Sequence, residues 1–273
     1  MKTVIYWFSG TGNSLHVAKA LQEGLDDVKL IPIAQALDGD LESSKRVGLV
    51  FPVYAWGPPA IVARFIEKLQ FDTPDYMFAV ATYGGAPGST MAITSKMLKR
   101  RGLVLNAGFS VKMVENYPPM GGAPEEKKQG KINDAAEAVI AQIVAWIRES
   151  ACGDFGKKNL FFSLIGRMVY PMFRKALSRQ SGSKFYADEK CSSCGICVEV
   201  CPVKNVQLPE GEKPTWGNRC EQCFACFHWC PEKAVQTGRK TVDMVRYHHP
   251  GTSLKDLMLR QEQEIGGQDG NVT

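Results

Sequence analysis

The sequence predicts an α/β fold: a doubly wound parallel sheet over the first half of the chain, followed by a second, smaller α+β domain. Three observations carry this. Over residues 1–150, short β-branched or aromatic runs alternate with helical patterns, the signature of a parallel sheet covered by helices on both faces. A turn rich in glycine and hydroxyl residues joins the first strand to the first helix. After residue 184, two cysteine motifs with the same spacing dominate the chain.

The strands are expected near residues 3–8, 28–33, 46–52, 76–82 and 103–113, with helices between them near 13–25, 59–69 and 89–101. The last helix, about 131–149, has the clearest pattern. Ile132, Ala136, Val139, Ile140, Ile143 and Ile147 recur at steps of three and four, an apolar stripe to lay on the sheet. Residues 151–183 break the rhythm: NLFFSLIGRMVYPMFRKALSRQ mixes large apolar groups with bases around Pro171. It reads as an amphipathic connector packing two domains together, with a partner-docking helix as the other reading. The small domain is expected over 184–245, and a tail over 246–273 carries one short helix from Thr252 before the polar GGQDGNVT, which reads as disordered.

Composition bounds the function. At 273 residues, 44% hydrophobic and 22% charged, the chain has the make-up of about two ordinary folded domains. MKTVIYWFSG holds one lysine and too short an apolar run for a signal peptide. No stretch reaches the ~18 apolar residues of a membrane helix. The expected compartment is therefore the cytoplasm, with no membrane span. In that reducing setting nine cysteines point to metal rather than disulfides, with Cys152, outside the pattern, as a bystander. The net charge of +5 is concentrated: residues 155–190 hold eight bases against two acids, a face for an acidic partner or a solvated linker. The modest net charge argues against a nucleic-acid partner.

The cysteine motifs are CSSCGICVEVCP (191–202) and CEQCFACFHWCP (220–231), offset by 29 residues. The repeat extends to Lys184 and Lys213, Lys204 and Lys233, and Val206-Gln207 and Val235-Gln236, which predicts a duplicated unit with a pseudo two-fold axis. A 4Fe-4S cube needs four converging thiolates, and a tight CxxCxxC turn wraps only three around one cluster. Zinc is the competing reading, but structural zinc sites join two separated ligand pairs across roughly 12–20 residues. Here three cysteines fall within seven residues. Over residues 184–240 the sequence closely resembles the bacterial-type two-cluster ferredoxin module, in which the cysteine before proline serves the other cluster. The resemblance implies one cluster on Cys191, Cys194, Cys197 and Cys230, and a second on Cys220, Cys223, Cys226 and Cys201. Pro202 and Pro231 are expected to open a short helix after each fourth cysteine. His228 is a neighbour of the second cluster, not a ligand. Lys190 and Arg219, each preceding a first cysteine, nudge the potentials upward, and only slightly if exposed.

VIYWFSGTGNSLHVAKAL (4–21) reads strand, loop, helix. The loop lacks the lysine of a P-loop, and Leu15 stands where a dinucleotide fold puts its third glycine. What remains is a set of hydroxyls at a helix N-terminus, suited to a terminal monophosphate. Two further loops, after the third and fourth strands, hold Tyr54, Ala55, Trp56 and Gly57, and Thr82, Tyr83, Gly84 and Gly85. Both leave the carboxyl ends of strands beside the first, where open α/β sheets bind ligands. Over residues 1–150 the chain resembles the flavodoxin family. The resemblance implies FMN, with Ser9, Thr11, Gly12, Asn13 and Ser14 on the phosphate and Trp56 or Tyr83 stacked on the ring. Gly57, Gly84 and Gly85 would bring backbone close to the ring. Tyr54 and Trp56 read equally well as caps on the sheet. The family's acidic surface is absent.

The fold class is thus a flavodoxin-like doubly wound parallel sheet joined to a ferredoxin-like two-cluster domain, and the whole resembles the flavodoxin-ferredoxin fusion proteins. That resemblance implies intramolecular electron transfer between two 4Fe-4S clusters and FMN, in service of a redox partner protein. The alternative is an iron-sulfur flavoenzyme that reduces a small molecule or oxidises NAD(P)H, although no second nucleotide fold and no general acid beside the ring are visible. A zinc-bearing nucleic-acid binder leaves the phosphate loop unexplained.

Overall fold

Five residues without a charge, TVIYW, form β1 (Thr3–Trp7), and every one is buried. The computed structural model describes residues 2–70, 72–155, 165–166, 168–175 and 184–258. β1 is an interior strand of a six-stranded sheet with β2 (Val28–Pro32), β3 (Arg46–Pro52), β4 (Tyr76–Tyr83), β5 (Ala107–Lys112) and β6 (Gly153–Asp154). The order is β2-β1-β3-β4-β5-β6 and every pairing is parallel. The first five strands carry the flavodoxin-like order, whose ligand crevice opens where the order reverses between β1 and β3.

Alternation along β1 divides the core. Ile5 and Trp7 face α1 (Asn13–Gly24) and α5 (Glu126–Arg148). Val4, Tyr6 and the following Phe8 face α2 (Ile33–Asp38), α3 (Ala60–Lys68) and α4 (Thr90–Lys99). Each large apolar side chain fully removed from water here contributes ~1.5–3 kcal/mol.

Several expected boundaries move. β2 stops at Pro32 and α2 follows at once; six residues are too few to show a helical period in sequence. β5 begins at Ala107, because Arg101–Gly102 turns, with Gly102 at φ 76, and the chain reaches the sheet only later. The two-residue β6 was not expected. α5 begins at Glu126, with Gly130 inside it despite glycine's cost of ~1 kcal/mol in a helix. Its buried stripe is Ala136, Ile140, Ile143 and Ile147, together with Asn133; Val139 is 41% exposed. Ile132 is half-buried.

In the second half each element recurs 29 residues on: β7 (Tyr186–Ala187) with β9 (Thr215–Trp216), α6 (Ile196–Glu199) with α7 (Ala225–His228), and β8 (Val206–Gln207) with β10 (Val235–Gln236). The left-handed residues recur too: Ser193 with Gln222, Gly195 with Phe224, Lys204 with Lys233. β7 pairs with β10 and β8 with β9, both antiparallel, so each small sheet takes one strand from each repeat. The repeats cannot be separated without breaking both ladders. Pro202 and Pro231 open turns, not helices. The short helices precede the fourth cysteines, and Lys204 and Lys233, at φ 48 and 51, prevent continuation beyond them.

From 151–183, residues 168–175 are helical, and the buried Tyr170 donates its hydroxyl to the carbonyl of Pro58 at 2.8 Å. The expectations for 156–164, 167, 176–183 and GGQDGNVT lie outside the described residues. The short helix expected after Thr252 is present as α8 (Leu254–Met258). Among the described residues no helix is long and apolar enough to cross a membrane.

Candidate functional site

The eight motif cysteines fall into two groups, and no disulfide joins them. Burial holds the Cys197 thiol up at about 11, and the neighbours that add to this are Cys194, Cys191 and Cys230. The same four cysteines line one cavity, with Leu208, Pro214 and Val235. Burial likewise holds Cys220 at about 11 and Cys223 and Cys226 above their ordinary range, with Cys201 acting on all three. The structure thus brings each fourth cysteine to the opposite motif. The cause is the exchange of strands between repeats.

These thiols are costly to ionise where they lie, and a bound cation would supply the compensating charge. Backbone amides already point at the sulfurs: Asn205 N–H at Cys201 Sγ, 3.2 Å; Ala234 N–H at Cys230 Sγ, 3.3 Å; and Gln222 N–H at Cys220 Sγ, 3.3 Å. A tetrahedral zinc with bonds of about 2.3 Å would draw its sulfurs to about 3.8 Å from one another. Among the described residues no three cysteine sulfurs lie within 4.8 Å of one another. Four thiolates spread wider than zinc takes, with amides aimed at sulfur, suit an iron-sulfur cube. His228 is no ligand: its Nε2 donates to Asn116 O at 2.8 Å and its Nδ1 accepts from Tyr247 N–H at 3.0 Å. Burial depresses this imidazole to about 4, and in the neutral ring this pairing fixes the tautomer. Lys190 and Arg219 are exposed, so solvent screens whatever they add.

At the other centre the turn after β1 is buried: Ser9, Thr11, Asn13 and Ser14 are between 0 and 7% exposed. Gly12, at φ 94, precedes α1 in a conformation that favours glycine. Ser9 Oγ accepts Gly12 N–H at 3.1 Å, and Thr11 Oγ1 accepts from Asn116 Nδ2 at 2.8 Å. In these bonds both hydroxyls act as acceptors and keep their own O–H. Ser14 Oγ and Thr82 Oγ1 share one bond at 2.8 Å, which leaves one further O–H between them. Those donors lie with the first-turn amides of α1, which lack intrahelical acceptors, so the donor set fits a phosphate monoester.

The two wall loops differ from expectation in detail. Tyr54 and Gly57 exchange backbone hydrogen bonds at 2.9 and 3.0 Å, with Ala55 and Trp56 at φ 47 and 62 between them, a tight reversed turn. A Cβ on Gly57 would fall 2.3 Å from the ring of Tyr170, so this glycine makes room for the connector helix. Trp56 packs against Gly88 and Gly166, and Gly84 faces Glu115. Among the described residues Gly85 has no atom within 4 Å of a Cβ built on it, the one glycine of the wall set with open space beside it. Thr82 and Tyr83 are buried at the end of β4. Burial, then the nearby Cys223 and Glu221, holds the Tyr54 phenol well above its ordinary range, so it stays protonated.

The two centres touch. A Cβ on Gly10 would lie 2.3 Å from the carbonyl oxygen of Cys223. Trp229 Nε1 donates to Gly10 O at 3.0 Å, and Tyr117 OH donates to Gln222 Oε1 at 3.2 Å. Glu221 accepts Ile61 N–H at 2.9 Å and Arg64 Nη2 at 2.7 Å. Sequence reasoning missed Glu221, Trp229 and Asn116, whose partners lie more than 100 residues away. The one local signal was the charged and aromatic residues inside the second cysteine motif, where a turn built for iron alone has no need of them.

Residues 186–206 match the 4Fe-4S binding domain family. Curated proteins give no match. Among solved structures, the chain is similar to Fusobacterium nucleatum flavodoxin bound to flavin mononucleotide, with 18% identity over 55% of this chain and 99% of that one, TM-score 0.39. A flavodoxin from the domain Archaea gives 14%, 53%, 99% and 0.34. A flavoprotein in complex with FMN from Lactobacillus acidophilus NCFM gives 12%, 41%, 92% and 0.33. The strand order carries a flavodoxin-like fold for the first half of the chain, and the family match places a 4Fe-4S binding domain in the second.

Proposed function

We propose that this protein relays electrons between two 4Fe-4S clusters and one FMN, joining one-electron and two-electron partners in a reducing, cytoplasmic setting. The contact of Cys223 with Gly10 carries this reading: a ligand loop of one centre packs directly on the phosphate loop of the other. The clusters supply one-electron chemistry and the flavin accepts one electron or two. Cys191, Cys194, Cys197 and Cys230 would hold the outer cluster, where Cys194 is exposed to a partner protein. Cys220, Cys223, Cys226 and Cys201 would hold the inner one. Ser9, Thr11, Gly12, Asn13 and Ser14 would hold the phosphate, with Thr82 closing the hydroxyl set. Tyr54, Ala55, Trp56, Tyr83 and Gly85 would form the ring's surroundings. Gly57 and Gly84 serve it by leaving room for Tyr170 and Glu115.

The experiment is an anaerobic preparation assayed for metal and flavin, then offered single donors. About eight iron and one FMN per chain are expected, with bleaching by a reduced ferredoxin and not by NAD(P)H alone. Rapid bleaching by NAD(P)H would instead make the protein an iron-sulfur flavoenzyme. Colourless protein without sulfide or flavin would end the proposal.

A further inference from the structure

The phosphate loop is held open to its ligand by residues from the other end of the chain. In a trans peptide the C=O and the following N–H point in opposite directions. The carbonyl of Gly10 is drawn outward by Trp229 Nε1 at 3.0 Å, and that of Thr11 by His249 N–H at 2.8 Å. The amides of Thr11 and Gly12 are thereby turned inward. Gly12 N–H indeed meets Ser9 Oγ inside the loop. Successive inward amides form a concavity for an anion.

The same segment fixes the rest of the loop. Asn13, the first residue of α1, has its side-chain amide bound at both ends: Nδ2 donates to Val114 O at 3.1 Å, and Oδ1 accepts from Tyr247 OH at 2.7 Å. Thr252 packs where a Cβ on Gly12 would be, its Oγ1 2.0 Å from that point. The segment is itself anchored on the iron-sulfur half, since Arg246 donates to the carbonyls of Phe227, Val235 and Lys233 and its guanidinium lies 3.3 Å from the Phe227 ring centroid. On the far side Lys19 and Asp256, 2.6 Å apart, tie α8 to α1.

We propose that Trp229 and the segment Tyr247–Thr252 are positioning residues of the flavin site, which pre-orient the phosphate-binding amides and so make FMN affinity depend on the iron-sulfur half. This rests on the FMN reading above. Pre-orientation matters because a loop that must be ordered on binding spends part of the interaction on its own ordering.

The test compares FMN with riboflavin, which shares the ring and lacks the phosphate, on full-length anaerobic protein. Trp229→Phe keeps the aromatic and removes the indole N–H. Tyr247→Phe removes the bond to Asn13 and leaves in place the backbone N–H that meets His228. Each is expected to weaken FMN binding about tenfold, by leaving a buried acceptor unpaired, while riboflavin affinity and iron content stay at wild-type values. Should Trp229→Phe lose iron, Tyr247→Phe decides. Unchanged FMN affinity, or an equal loss for both flavins, overturns the proposal. A wild-type protein that binds neither flavin overturns the FMN reading instead.

Discussion

The carboxylate of Glu221 holds the guanidinium of Arg64 at 2.7 Å while capping the start of α3 through Ile61 N–H. It lies between Cys220 and Cys223 and is only 4% exposed, so one side chain fastens the inner cysteine loop to the sheet domain. Replacement by alanine strands a buried amide, at ~1–3 kcal/mol, and frees the exposed Arg64 guanidinium to solvent. Glu221→Ala should therefore lower the urea midpoint of the iron-loaded chain, and Glu221→Gln, which keeps an acceptor for Ile61, should lower it less. Equal effects would show that the cap contributes nothing.

The exchange of fourth cysteines makes a second prediction. Cys201 follows Cys197 in sequence but groups with Cys220, Cys223 and Cys226. Cys201→Ser should disturb the inner cluster first, with iron content falling by up to about half and low-temperature EPR losing one of two interacting centres. Selective loss of the cluster on Cys191, Cys194 and Cys197 would reverse the assignment.

What was legible in the sequence was whatever has a local period. β1, β3, β4 and α3 stand within a residue or so of expectation, because burial on both sheet faces writes an uninterrupted apolar run and helix packing writes a stripe. Three cysteines of each group were legible in their spacing, which wraps them round one centre, while the exchange of the fourth came from the resemblance to the ferredoxin module. The seam between the halves was not. Trp229 reaches Gly10 across 219 residues and Tyr247 reaches Asn13 across 234, and such pairs leave no mark in the residues around either partner. Gly57 shows the converse: a glycine that reads as backbone left free for a ring is taken up by Tyr170.

Gly10 is not among the residues of positive φ, yet its missing side chain is where the Cys223 carbonyl lies. Backbone cannot yield as a flexible side chain does. Gly10→Ala should push the inner cysteine loop away and break the Trp229 bond. Stopped-flow spectra should then show flavin reduction from pre-reduced clusters slowed at least tenfold in a protein that still binds iron. A rate equal to wild type would mean that the seam gives way without separating the centres.

His249 gives the protein a dependence on pH that is independent of cluster chemistry. Burial, followed by His16 and His248, depresses its imidazole to about 3 from an ordinary 6.5. Its ring stacks on that of His16, 3.9 Å between centroids, and Glu137 is taken by His16 Nε2 at 2.7 Å. His249 is therefore neutral in the folded protein at pH 5, while in the unfolded chain it is protonated. Because the unfolded state binds the extra proton between about pH 6.5 and pH 3, stability is complete above 6.5 and falls as the pH drops through that window, by about 2 kcal/mol at pH 5. His249→Gln should lose some stability near pH 7 and show a shallower decline between pH 6.5 and 5. Denaturation midpoints across that range check this. Because the cysteines are the same in wild type and variant, any acid lability of iron they hold cancels in the difference. Parallel pH profiles would mean that the imidazole is protonated in the folded state as readily as in the unfolded one.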